Sequence, residues 1–111
     1  MTIDELKGLG ANVQEGIMRC AGNEAFYLKL VPKALDEARY LALEQAVKDK
    51  DLKKAFEEAH ALKGILANLA LTPIYEPVCE ITEDLRAGRD IPYEEVLGKI
   101  KEQRERFAAL I

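Results

Sequence analysis

The chain has no tryptophan, a single histidine and two cysteines, and only 6% of its 111 residues are aromatic. Each scarcity excludes something. Cys20 and Cys79 are too few for a disulfide framework or a four-ligand zinc site. Set in apolar patterns, they read as two buried, reduced thiols. Sixteen basic residues stand against twenty acidic ones, a net charge of −4, so the basic footprint that nucleic acid requires is missing. No apolar run reaches the ~20 residues of a membrane helix; Ile65 to Ile74 comes nearest and contains Asn68. Met1-Thr2-Ile3-Asp4-Glu5 carries acids where a secretory leader needs a basic start and an apolar stretch. There is no Gly-x-x-x-x-Gly-Lys or Gly-x-Gly-x-x-Gly loop to hold a nucleotide, and no evident magnesium cluster. The expectation is a cytoplasmic protein with no nucleic-acid or membrane partner, no resident metal and no cofactor.

What the chain does have is helix-forming residues: 49% are apolar, and Ala, Leu, Glu and Lys dominate. No alternating strand pattern, internal repeat or linker appears, so residues 1–111 read as one helical domain. Thr2 with Glu5 makes a capping box for a short helix from Ile3, ended by Gly8 and Gly10. Asn12 with Glu15 opens a second helix that stops at Gly22. Asn23 opens a long stretch to about Lys50, with Phe26, Leu30, Leu35, Ala38, Ala42 and Ala46 able to share a side. Pro32 should break or kink it, either ending a helix near Val31 or opening a new one.

Asp51 caps a central helix to about Leu71. Its residues Leu52, Ala55, Ala59, Leu62, Leu66 and Leu69 follow 3-4-3-4-3 spacing, one continuous apolar stripe. Thr72 should cap the next helix, with Pro73 in its first turn and Pro77 tolerated near the start; it carries Ile74, Val78, Ile81 and Leu85 to Gly88. Asp90-Ile91-Pro92 opens the last helix, with Val96, Ile100, Phe107 and Leu110 as core candidates. Its charged run from Lys99 to Arg106 reads as a solvated face. Five or six helices joined by short turns make an all-α bundle.

The chemistry gathers at Glu58-Ala59-His60-Ala61-Leu62-Lys63-Gly64. His60 lies roughly 120° from the centre of the apolar stripe at ~100° per residue, so it points to solvent or to the core's edge. Lys63 and Gly64 follow within one turn on the same side. A mid-helix glycine costs roughly 1 kcal/mol relative to alanine; the compensating use would be close approach of another molecule. Phe56, His60, Gly64, Ala67 and Leu71 form a second line, small or apolar, beside the main stripe. Such a line either widens the core or docks a partner.

Ala59-His60-Ala61-Leu62-Lys63-Gly64, continued by Asn68-Leu69, resembles the signature of histidine-containing phosphotransfer (HPt) domains. Gly10-Ala11-Asn12-Val13-Gln14-Glu15-Gly16, Gly22-Asn23-Glu24-Ala25-Phe26-Tyr27-Leu28 and Leu85-Arg86-Ala87-Gly88 are also similar to the family, which extends the likeness over Gly10 to Gly88. The resemblance implies an antiparallel four-helix bundle with short additional N-terminal helices. It implies a solvent-exposed phosphoacceptor, mapping onto His60. It also implies response-regulator receiver domains as partners, with a hybrid sensor histidine kinase in some systems. The chain would be a freestanding relay, and the metal would come from the receiver. Two positions depart from the family pattern: Leu66, where small residues are common, and Ala70, where glycine is common.

The residues permit that chemistry. A histidine of ordinary pKa, ~6.5, is largely neutral and nucleophilic at pH 7, and can form a phosphoramidate. His60 stands too far inside its helix for the N-terminal dipole to steady a phosphoryl group, so Lys63 is the candidate for that role. Gly64 would give the partner clearance, with Phe56, Ala67 and Leu71 around it. Glu57 could accept a hydrogen bond from the ring. With no nucleotide loop, the expected activity is phosphotransfer without autonomous kinase activity. The alternative is a non-phosphorylated helical binding module that docks receiver or kinase domains. A homodimer across the same face is weaker still, and a monomer is the expectation.

Overall fold

The computed structural model describes residues 1–111 and is helical throughout, in seven helices: α1 (Ile3–Gly8), α2 (Val13–Arg19), α3 (Glu24–Ala34), α4 (Glu37–Lys48), α5 (Leu52–Asn68), α6 (Thr72–Arg86) and α7 (Glu94–Ala108). The side chains of Thr2, Asn12, Asn23, Asp36 and Asp51 each accept a hydrogen bond from a first-turn N–H and so start α1 to α5. The helix termini would otherwise leave those donors without partners.

α4, α5, α6 and α7 pack in that order, each against the next. Between these neighbours run three residues, three residues and seven. Turns that short reverse the chain, giving an antiparallel four-helix bundle. Its centre holds Tyr40, Leu43 and Ala46 of α4, Ala55, Ala59, Leu62 and Leu66 of α5, Ile74, Val78, Ile81 and Leu85 of α6, and Val96, Ile100 and Phe107 of α7. Fully burying a leucine or isoleucine contributes roughly 1.5–3 kcal/mol, so this layer outweighs any surface pairing.

Several expectations are corrected. The long stretch from Asn23 divides not at Pro32 but three residues later. Pro32 sits in the last turn of α3, where its missing N–H leaves the Leu28 oxygen without its helical donor, yet the helix runs on to Ala34. The break falls at Leu35–Asp36, where other groups take the freed carbonyls: Tyr40 Oη donates to the Ala34 oxygen at 2.8 Å, and Arg104 Nε to the Leu35 oxygen at 2.9 Å. α3 also turns a different face inward. Tyr27, Val31 and Ala34 are buried while Phe26 is exposed; in α4, Tyr40 and Leu43 are inside and Ala38 outside. Leu71, not Thr72, is the cap residue of α6, and Thr72 is already helical. α7 starts at Glu94 rather than at the Asp90-Ile91-Pro92 turn. Both thiols are free, but only Cys20 is buried; Cys79 is half-exposed.

The end of α5 shows why the flanking segments matter. It closes by a Schellman motif: the Leu71 N–H donates to the Leu66 oxygen and the Ala70 N–H to the Ala67 oxygen, each at 3.1 Å. Ala70 takes the required left-handed conformation, φ +53°, at a non-glycine's cost. The motif brings together an apolar pair, here Leu66 and Leu71, both fully buried. The remaining carbonyls are taken from outside the bundle. Asn12 N–H donates to the Ala70 oxygen at 2.9 Å, and Tyr27 Oη to the Leu69 oxygen at 2.8 Å. Gly16 is what lets α2 come so close. A Cβ there would lie 2.3 Å from the Tyr27 ring and 2.7 Å from the Leu69 oxygen. α2, with its cap residue Asn12, and α3 therefore brace the C-terminal end of α5.

Candidate functional site

His60 is the ninth residue of α5 and is exposed. The neighbours that pack α5 inward, Ala59 and Leu62, are fully buried. One ridge of the helix thus sits in the core while the imidazole stands on its outer side. Phe56, one turn earlier, stacks on the imidazole with ring centroids 5.5 Å apart and 20° between planes. Such offset stacking contributes on the order of 0.5–1.5 kcal/mol, and it holds a ring by its face. Neither ring nitrogen is hydrogen-bonded to the protein, and Glu57 does not serve as an acceptor for it.

One turn further on, Gly64 is exposed, and a Cβ built there would meet nothing within 4 Å. The fold does not require glycine at this position. The mid-helix glycines differ: a neighbour fills the space at Gly16, whereas Gly64, like Gly98 of α7, is open to solvent.

Lys63 does not stand free. Its Nζ lies 3.6 Å from Glu83 Oε1 on α6, and the same oxygen lies 3.6 Å from an Arg86 guanidinium nitrogen. Arg86 in turn lies over the Phe56 ring, 5.4 Å from its centroid, a favourable place for a cation. Lys63, Glu83, Arg86, Phe56 and His60 are therefore linked by consecutive contacts across α5 and α6. Glu83 was not among the residues singled out from the sequence, and Arg86 entered only through the Leu85–Gly88 likeness, with no role at the site. One turn apart on α6, they look like an ordinary exposed ion pair, and only the α5–α6 packing brings them to the histidine.

The second line of α5 is only partly a surface. Phe56 and Ala67 are half-buried and Gly64 is exposed, but Leu71 is fully buried. Leu71 is thus removed from the docking face, because the helix closure that ends α5 draws it into the core. No three His, Cys, Asp or Glu side chains come together as a metal site, and no helix is long and apolar enough to cross a membrane. A cleft of about 1020 Å³ opens between α4 and α7 and is lined by neither His60 nor Lys63.

A four-helix bundle carrying a lone, exposed, mid-helix imidazole defines a protein of the histidine phosphotransfer class. The Hpt domain family model matches residues 34–110, more than two thirds of the chain, and the chain belongs to that family. Its members act generally in phosphorelays of two-component signalling as phosphotransfer intermediates rather than kinases. Comparison with curated proteins and with solved structures returns no match. The family match begins at Ala34, so α1, α2 and nearly all of α3 lie outside it, together with the likenesses at Gly10–Gly16 and Gly22–Leu28.

Proposed function

We propose that His60 accepts a phosphoryl group from the aspartyl phosphate of a receiver domain and passes it to a second receiver. The observation that carries this reading is the exposed imidazole, held by its face on Phe56 with both nitrogens free. Its unprotonated nitrogen attacks phosphorus. A P–N bond forms, the P–O bond to the receiver's aspartate breaks, and the electron pair returns to that carboxylate. The proton left on the other ring nitrogen is shed to water. Onward transfer reverses the sequence on another aspartate. Phosphoryl transfer of this kind depends on positioning and charge.

In this reading Lys63 steadies the phosphoryl oxygens, and Phe56, Gly64 and Ala67 form the docking face. The receiver supplies the metal, and a hybrid sensor kinase could head the relay. The chain works as one domain, a cytoplasmic monomer.

The test is to incubate the protein with a receiver charged by a small phosphodonor. Label is expected on this chain, stable to base and labile to acid, and absent in His60→Gln. Lys63→Ala should slow transfer by about tenfold, as expected for losing one charge-assisted contact, with the fold intact. Receiver binding without label in the wild type would instead leave a docking module.

A further inference from the structure

The ion pairing around Lys63 has a direction. The cation best placed to serve a phosphoryl group on His60 is engaged by a carboxylate, and that same carboxylate engages the guanidinium resting on the ring that backs His60. A phosphoryl group carries nearly two negative charges at neutral pH, while Glu83 carries one. Once the group is on His60, Glu83 and the phosphoryl oxygens compete for the same ammonium.

We propose that Glu83 is a positioning residue that keeps phospho-His60 easy to give up: it restrains Lys63, and with it Arg86, so that the phosphoryl group is passed on rather than stored. The inference rests on the relay reading above. Lys63 sets how well the phosphoryl group is held, and Glu83 sets how much of Lys63 is available.

The size of the effect follows from exposure. The Lys63 side chain is 29% exposed and that of Glu83 is 58%, so the pair is partly screened. Pairs of this sort are worth a factor of about two to five. Neutralising Glu83 should therefore shift the partition of phosphoryl group between receiver and His60 toward His60 by about two- to fivefold. With both proteins dilute enough to be mostly unbound, this ratio depends only on the free species. A change in receiver docking cannot mimic it.

The experiment uses the full chain with a charged receiver and compares wild type, Glu83→Gln, Lys63→Ala and the double variant. Glu83→Gln should raise the phospho-His60 to phospho-receiver ratio by about two- to fivefold and lengthen the lifetime of isolated phospho-His60, more so at low salt. In the Lys63→Ala background the same substitution should do little. An unchanged or lowered ratio overturns the proposal. So does an equal gain in both backgrounds, since Glu83 would then act without Lys63. Absence of label in the wild type would overturn the relay reading itself, a separate outcome. Glu83 is exposed, so the melting temperature should hold in Glu83→Gln, which removes a folding defect as an explanation.

Discussion

Adding one methyl group at Gly64 should make the protein more stable and a poorer relay. A Cβ at 64 meets nothing within 4 Å, so the substitution Gly64→Ala costs no packing. It gains the difference in helix propensity, about 0.5–1 kcal/mol. Unfolding entropy of about 2.1 cal/mol/K per residue, over 111 residues, amounts to roughly 0.2 kcal/mol per kelvin. The melting temperature should therefore rise by about 2–4 °C. Against a receiver lying flush on the helix, the same methyl group is an overpacking defect of about 1–3 kcal/mol, which lowers kcat/KM for transfer by about 5- to 160-fold. Thermal denaturation followed by circular dichroism reads the first quantity, and transfer from a charged receiver reads the second. Gly16→Ala is the counterpart. There the added carbon runs into the Tyr27 ring and the Leu69 carbonyl, so it should destabilise by about 1–3 kcal/mol. A loss of stability in Gly64→Ala would refute the open-space argument. A gain in stability with transfer unchanged would refute the argument that clearance is why glycine stands there.

Ala70→Gly should stabilise the protein by about 0.5–1 kcal/mol, because position 70 adopts φ +53° and glycine enters that region without the Cβ penalty; urea denaturation at constant m checks this. Stability should also fall in alkali. Burial, aided by Cys20, pushes the Tyr27 phenol from its ordinary 10 up to about 12, and burial does the same at Tyr40 against the pull of Arg104 and Arg39. A pKa raised by folding means that the folded state favours the neutral phenol. The contribution is complete below pH 10 and is lost as pH climbs through 12, at a cost of about 2–3 kcal/mol per tyrosine. Denaturation curves at rising pH, with phenolate absorbance recorded alongside, should show both tyrosines ionising only as the fold opens. Ionisation near pH 10 in a still-folded protein would refute this.

The bundle was legible in the sequence because its signals are local. Asn12, Asn23 and Asp51 each cap the helix they precede, and the apolar stripe of α5 states its own inward face. The errors fall where distant residues decide. Nothing near Pro32 reveals that the Ala34 and Leu35 carbonyls will be taken by Tyr40 and Arg104, and those bonds move the break to Leu35–Asp36. The α3 face was misread because Tyr27 finds a carbonyl in α5, which puts a polar-tipped ring inside and leaves Phe26 outside. Leu71 continued the helical spacing of the docking line, but the chain leaves the helix at Leu69 and turns Leu71 inward. The departures noted at Leu66 and Ala70 turn out, with Leu71, to be parts of that one closure. His60, Lys63 and Gly64 were legible as neighbours on one turn. Glu83 and Arg86 were not, because their relation to His60 exists only across the α5–α6 interface.

The location of the site follows from what a relay has to do. An enzyme acting on a small substrate encloses it, and here the cleft between α4 and α7 is lined by neither His60 nor Lys63. A group exchanged between two proteins needs the opposite: a nucleophile raised on a convex helix, with the incoming partner bringing its own walls. Rigidity then has to come from beneath. Phe56 backs the ring, and the end of α5 is closed by Asn12 and Tyr27 from segments outside the family match. Affinity for the phosphoryl group must stay moderate, since an intermediate that holds it too well ceases to transmit. On this reading, an acid tethering the local cations is a functional part of the surface, and the exposed position of Glu83 is what keeps its effect to a few-fold.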